Sequence, residues 1–469
     1  MERAHTQGPP GLHLRGAYLG YSRPVQTNRT RSSAAEGHLQ SPAPRQARSG
    51  PPPLPRERLP QARRPLAAGR LKDAAPVAYH SQWVLTLVLL TIGLCMMLSV
   101  SLATAFARAG ADKFVYLKQQ AVVAGLGLVL MLIISRLDYR KWGKISVVGL
   151  GAIVLSLLAI HLPGLSRSAN GSARWIPLGP YSFQPSEFAK LLVVLAGAHL
   201  LASKRTRAGD FKSLMLPFGL LSFGVCGLVL VAPDLGTAII IAGLALGLLW
   251  IAGMKSVHWI GLGATGGALA LILTVSSKYR EARLLAFINP FADRTGKGFQ
   301  LVESLLALGR GGWLGQGPGA SIQQFGYLPN AHTDMILAIL GEEFGLLGVG
   351  LVILLFALLA YGAWRLARRC SDPLGKYLIV GCSLLVTLEA AVNVGGVLSA
   401  LPLTGVPLPF ISFGSNDLLV MLAAVGVVLS VGRFASASGR AAVVSPVDDV
   451  RQPQGPRTRA GRRPRPSAG

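Results

Sequence analysis

Long apolar stretches separated by short polar connections dominate the middle of the chain. Ten of them approach the roughly 20 residues a helix needs to cross a bilayer's hydrocarbon. They lie at 83–105, 119–136, 145–162, 186–203, 213–231, 237–254, 257–276, 334–362, 377–399 and 414–432. The pattern predicts an all-α polytopic membrane protein of about ten transmembrane helices. The connections alternate in character. One set is short and basic: Arg140, Lys141 and Lys144; Lys204, Arg205, Arg207 and Lys212; Lys255; and Arg365, Arg368, Arg369 and Lys376. Basic connections favour the cytoplasmic side, so this set and both termini are expected there. The connections at 106–118, 163–185, 232–236, 277–333 and 400–413 then face outward. The large outer loop 277–333, between helices 7 and 8, is too long for an idle connector. Within it Phe299, Val302, Leu305, Leu306 and Leu308 recur at helical spacing, with Gln300, Glu303 and Ser304 between them. This predicts an amphipathic helix at the outer membrane surface. The glycines of 311–319 follow as a hinge run, which fits a loop that closes over something in the membrane.

Composition sharpens the class. Of 469 residues 51% are hydrophobic and only 14% charged, against about 25% in a soluble domain. A soluble enzyme, a disulfide-rich secreted module and an extended disordered protein are excluded. The net charge is +26, and much of it lies outside the apolar core. Residues 1–80 hold 13 basic and 4 acidic groups, and residues 433–469 hold 8 and 2. These ends are rich in Pro, Arg, Ser and Gly without apolar period, so both are expected to be disordered basic cytoplasmic tails flanking a membrane domain at 81–432. Contact with anionic lipid headgroups is expected of them, and nucleic acid is not. No cleavable leader is expected, because the first apolar run begins after residue 80. Cys95, Cys226, Cys370 and Cys382 lack metal spacing and read as packing residues.

Polar residues at the mouths of the spans carry the candidate chemistry. Arg174-Trp175 precedes Gln184-Pro185-Ser186-Glu187, with Lys190 one turn on. Pro185 suits a first helical position, and Glu187 and Lys190 share a face. They are either a cap with an ion pair or a polar pair facing a wet interior. Arg174 and Trp175 either anchor at the headgroups or hold a phosphate. Asp234, followed by Gly236, is placed to cap the next helix. Arg280 and Arg283 open the large loop and can meet phosphate or lipid headgroups. His332 reads as a hydrogen-bonded loop residue, since no second His or Cys stands near it. Asp334 enters a span at the interface, as a helix cap or as a carboxylate that meets a lipid-linked substrate. Glu342, Glu343, Glu389 and Asn393 lie deeper and imply a polar bundle interior, by internal hydrogen bonding or proton relay. The run 404–414 reads as irregular backbone tucked against protein.

In this order, these motifs resemble the SEDS family (shape, elongation, division and sporulation) of bacterial cell-wall proteins. The resemblance covers about 83–432 and rests on Arg174-Trp175, Gln184-Pro185-Ser186-Glu187 with Lys190, Pro233-Asp234-Leu235-Gly236-Thr237 and Ala331-His332-Thr333-Asp334. Tyr327-Leu328-Pro329 with that last motif is closer to the FtsW-like division branch than to the RodA-like elongation branch. Two departures stand out. Asn330 replaces a usual Glu, and Phe413-Gly414-Ser415-Asn416-Asp417 replaces a usual Tyr-Gly-Gly-Ser-Ser.

The resemblance implies a peptidoglycan glycosyltransferase that polymerises lipid II at the outer face of the cytoplasmic membrane during division, with undecaprenyl pyrophosphate as leaving group. It implies that Asp334 is the catalytic base. Arg174, Trp175, Glu187, Lys190, Arg280 and Arg283 are then the substrate and pyrophosphate candidates, and Gln184, Pro185, Asp234, Gly236, His332 and Glu343 the supporting ones. The expected partners are lipid II and the nascent strand, a class B penicillin-binding protein, division-complex proteins and membrane lipids, with localisation at the septum. A divalent cation, Mg or Mn, at the pyrophosphate is chemically reasonable, although no ligand set emerges. The alternatives are a lipid II flippase, which Glu342, Glu343 and Glu389 suit, and a scaffold that recruits a transpeptidase.

Overall fold

The computed structural model describes residues 67–107, 112–160, 162, 167–169, 172–179, 181–203, 209–232, 234–325 and 327–444. All of them fall in one unit, Pro65–Gly469. Helices form where apolar runs leave the backbone no partner but itself. They are α1 (Ala67–Ala107), α2 (Val115–Arg136), α3 (Trp142–Ala159) and α4 (Pro185–Leu201). Next, α5 (Phe211–Leu214) runs through a π turn at Met215–Gly219 into α6 (Leu220–Val231). Then follow α7 (Leu235–Ile251), α8 (Ser256–Val275), α9 (Lys278–Ile288), α10 (Phe299–Gly311), α11 (Ile336–Arg369), α12 (Pro373–Val397) and α13 (Ser415–Val444).

Each of the ten expected spans coincides with helix, counting α5 and α6 as one, and among the described residues seven helices are long and apolar enough to cross a membrane. The protein is a multi-pass membrane protein. Two boundaries need correction. Helix α1 begins at Ala67 and α13 runs to Val444, so helix reaches into both stretches read as tails. The expectation for residues 1–66 and 445–469 lies outside the described residues.

Two apolar cores meet at α4. Val194, Leu195 and Ala198 join a core shared by α1, α2, α11, α12 and α13. Val193 and Ala196, on the other face of α4, join one shared by α3, α6 and α7. Helix α8 buries no residue and leans on α7, where the Trp259 indole donates to the Leu246 carbonyl at 2.9 Å.

Three features were not anticipated. The segment before α4 folds into a small antiparallel sheet, β1 (Arg167–Ala169), β2 (Ser172–Leu178) and β3 (Tyr181–Phe183), in the order β1-β2-β3. Helix α10 does form, but Leu301, Val302, Ser304 and Ala307 are buried in protein, and the Ser304 hydroxyl donates to the Val397 carbonyl at 3.1 Å. One face of this amphipathic helix therefore walls the end of the bundle, while Leu306 on the other is exposed. Finally, α11 breaks at Gly345, whose φ of 68° and ψ of −167° suit only glycine. The freed backbone groups meet the hinge run. Gln316 and Gly317 donate to the carbonyls of Glu342 and Glu343 at 2.9 and 3.0 Å, and Leu346 donates to the Gly312 carbonyl at 2.8 Å. Such satisfaction is what allows irregular backbone at membrane depth.

Candidate functional site

The candidate residues gather at the end of the bundle that carries the sheet, in three groups. The first is built on α4. Lys190 is 1% exposed, lies 2.6 Å from the Glu187 carboxylate, makes a short contact with Glu389 of α12, and stands 3.7 Å from Asp417 of α13. Burying an ammonium is tolerable only with such partners. One side chain thus ties three helices together. Of the two roles open to Glu187 and Lys190, the structure shows the ion pair, extended to Glu389 and Asp417. Asp417 was missed, because it sits in a turn that departs from the resembled pattern. Its place in the first turn of a span was the available signal, the same one that singled out Glu187.

Glu187, Glu389 and Asp417 also bring carboxylate oxygens within 4.8 Å of one another. They do not fit a divalent cation, because Lys190 already stands among them with its own positive charge. Around Asp334 the described neighbours offer one carboxylate, a hydroxyl and a guanidinium. No ligand set for a metal at a pyrophosphate emerges from these residues.

The second group adjoins the first. Asp234 caps α7 as expected, accepting from the Thr237 amide at 3.3 Å and from its hydroxyl at 2.9 Å. It also accepts from the Ser186 hydroxyl at 2.9 Å, and Arg174 of β2 stands 3.7 Å away. Gln184 donates to Ser186, and Pro185 takes the first position of α4. Arg174 keeps 27% side-chain exposure, and Trp175 beside it is half-buried. Gly236 is needed for close approach, since a Cβ there would come 2.8 Å from the Thr404 carbonyl.

That contact leads to the third group. The irregular run 400–413 crosses this end of the bundle, as expected. Asn393 of α12 fixes it by donating to the Val406 carbonyl at 2.9 Å and to the Asp334 carbonyl at 2.8 Å. Glu389 and Asn393, one turn apart on α12, turn to different groups, Glu389 to Lys190 and Asn393 to the backbone of Asp334. Asn330 takes a φ of 55°, a left-handed conformation that Asn accepts more readily than Glu, and its carbonyl receives the Thr333 amide at 3.0 Å. The Asp334 carboxylate is 7% exposed and accepts from the Thr333 hydroxyl at 3.0 Å. Burial pushes its pKa up, while Thr333, Arg283 and Gln300 pull the other way. Arg283 of α9 donates to the Leu403 carbonyl at 3.3 Å, so its guanidinium is held close to the same run. Arg280 stands half-buried one turn earlier on α9. His332 stacks on Tyr116 at 4.5 Å, and burial pushes its imidazole pKa down. It packs the wall and binds through its backbone, whose carbonyl receives the Phe413 amide at 2.9 Å.

Glu343 lies apart, at the break in α11, where it accepts from the Ser99 hydroxyl of α1 at 2.5 Å. Glu342 beside it accepts from Ser321, and Arg310 stands 3.9 Å away. Beyond Arg283 opens a cavity of about 280 Å³ between α9, the start of α10 and Leu403. The third group therefore combines a buried carboxylate, a cation held near it and empty space alongside, which is what proton removal with departure of an anion requires.

The family model built on FtsW, RodA and SpoVE, described as cell cycle protein, matches residues 79–437. Stage V sporulation protein E of Bacillus subtilis is 37% identical over 351 residues, covering 75% of this chain and 96% of that protein. A probable peptidoglycan glycosyltransferase FtsW of Geobacter metallireducens is 38% identical over 320 residues, covering 68% and 85%. Among solved structures, a chain from a peptidoglycan synthase complex that coordinates polymerization and crosslinking is similar with a TM-score of 0.61 and 29% identity, covering 76% and 97%. The rod shape determining protein RodA of Thermus thermophilus is similar with a TM-score of 0.54 and 28% identity, covering 75% and 95%.

Proposed function

The chain belongs to the family of FtsW, RodA and SpoVE cell cycle proteins, and from that premise we propose that Asp334 and Arg283 are the catalytic pair of a peptidoglycan glycosyltransferase. The enzyme joins lipid II units into glycan strands, with undecaprenyl pyrophosphate as leaving group. In this reading the end that carries the sheet, α9 and α10 faces outward, and both termini lie in the cytoplasm. The basic connections at the opposite end support that orientation.

The step is a substitution at C1 of the donor sugar, borne by the growing strand. The 4-hydroxyl of the acceptor attacks C1 as the bond from C1 to the pyrophosphate oxygen breaks. The hydroxyl proton passes to the Asp334 carboxylate, and the electron pair leaves with undecaprenyl pyrophosphate. Burial moves Asp334 toward the pH at which a carboxylate works as a base, a contribution of about 10²–10⁴ in rate. Arg283 offsets the charge that develops on the leaving oxygen. Arg174, paired with Asp234 on the far side of Gly236 and Thr404, is the cation for the second lipid-linked pyrophosphate.

One observation carries the reading: a buried Asp334, positioned through Asn393, near an Arg283 that lines a cavity. Each carboxylate that suited a transporter has a partner within the bundle, Glu342 in Ser321, Glu343 in Ser99 and Glu389 in Lys190. A single-span class B penicillin-binding protein at the septum is the proposed partner, in keeping with the synthase complex that contains a solved relative. The test uses purified chain with that partner and lipid II in detergent, which removes sidedness. Glycan strands are expected. A monodisperse complex that makes none overturns the reading.

A further inference from the structure

The cavity beside Arg283 holds a cation that the reading above does not use. We infer that Lys297 is the second cation of this cavity and binds the leaving pyrophosphate together with Arg283, an inference that rests on the glycosyltransferase reading. The walls are Ala282, Arg283 and Ala286 of α9, Lys297 and Gln300 at the entry to α10, and Leu403. The two alanines leave the room, since longer side chains at either position would fill it.

The charge balance calls for a second cation. A departing pyrophosphate carries several negative charges and gains one more as its bond to C1 breaks. Arg283 is also engaged within the protein, donating to the Leu403 carbonyl, so it alone does not balance that charge. Lys297 supplies a compact positive charge on a flexible stem, which suits phosphate oxygens whose position changes as they depart.

Its backbone is held for that task. The Asp293 carboxylate accepts from the amides of Gly296 and Lys297, each at 3.0 Å, which fixes the turn while the lysine side chain lines the cavity. Gln300 closes the geometry: it lines the same cavity and also interacts with Asp334. A phosphate seated between Lys297 and Arg283 then leaves C1 of the donor between the departing oxygen, in the cavity, and the acceptor hydroxyl, on the side of Asp334.

Inorganic pyrophosphate is the probe, and its binding to the purified full-length chain is measured by calorimetry at fixed ionic strength. Lys297→Gln should weaken binding about tenfold, and Lys297→Arg should restore most of it. Lys278→Gln, an exposed charge change at the start of α9 outside the cavity, should leave binding as in the wild type. Ala286→Leu should abolish binding by filling the space. Equal affinity in wild type and Lys297→Gln, or an equal loss in Lys278→Gln, overturns the inference. Strand synthesis from lipid II is scored separately. Pyrophosphate binding that depends on Lys297 without any strand synthesis would uphold the cavity and reject the glycosyltransferase reading.

Discussion

The carboxylate–cation groups around Lys190 and around Asp334 differ in what surrounds the charges. Around Lys190, one ammonium faces Glu187, Glu389 and Asp417, every member is at least nine-tenths buried, and three helices converge on it. Around Asp334, one carboxylate meets one hydroxyl, and the guanidinium near it lines a cavity of about 280 Å³. The residue types are the same. The closed group is enclosed by three helices and fastens them together, whereas the open group has a cation that also lines a cavity. Charge at the mouth of a span therefore marks a site only where space remains beside it.

The largest expected effect comes from opening the closed group. Lys190→Met leaves three buried carboxylates without their cation, and breaking a buried pair in this way costs about 3–5 kcal/mol. The variant should lose monodispersity in detergent or unfold at a much lower temperature. A Tm within a few degrees of wild type would show that the group does not fasten the helices.

A smaller effect separates the open group by pH. Asp334 must be ionised to accept a proton, and burial raises its pKa. The rate of strand synthesis should therefore fall as pH is lowered, with a midpoint above the usual aspartate value of about 4. An acid limb at or below that value would contradict a buried base. Linkage gives stability the matching sign. A carboxylate whose folded pKa is raised favours the folded state most when protonated, and that contribution is lost as pH rises through the folded pKa. Ionised Asp334 is thus held at a cost in stability.

The smallest effect probes the surplus charge of the closed group. Asp417→Asn keeps the shape and removes one of three carboxylates competing for one ammonium. Thermal unfolding should show a slight gain in stability, on the order of 1 kcal/mol or less. A loss comparable to that of Lys190→Met would mean that Asp417 is a required partner of the lysine.

Much of the scaffold could be read from hydropathy alone, because a run of apolar residues in lipid has no alternative to helix. The Asp234 cap and Pro185 at a first helical position were also legible, since capping depends on neighbours a few residues away. What escaped depends on distance in sequence. Glu389 is 199 residues from Lys190, and nothing in either neighbourhood announces the pairing. The sheet at Arg167–Phe183 was hidden by strands of three to seven residues, too short for alternation to stand out. The break at Gly345 was one glycine among many, and only the hinge run packed against it makes the break stable. The cavity beside Arg283 is made by two alanines, which leave no mark on a sequence beyond being small.

The account stands most directly on Asp334 as the proton acceptor of the open group. The measurement is strand synthesis from lipid II by wild type and Asp334→Asn, each with its partner, together with the Tm of each. The amide keeps the shape of the side chain and removes a buried charge, so the Tm should hold or rise slightly. Polymerisation should fall by about 10² or more, because the proton has no acceptor. Near-normal polymerisation by a well-folded Asn variant would contradict the account and remove Asp334 from the chemistry.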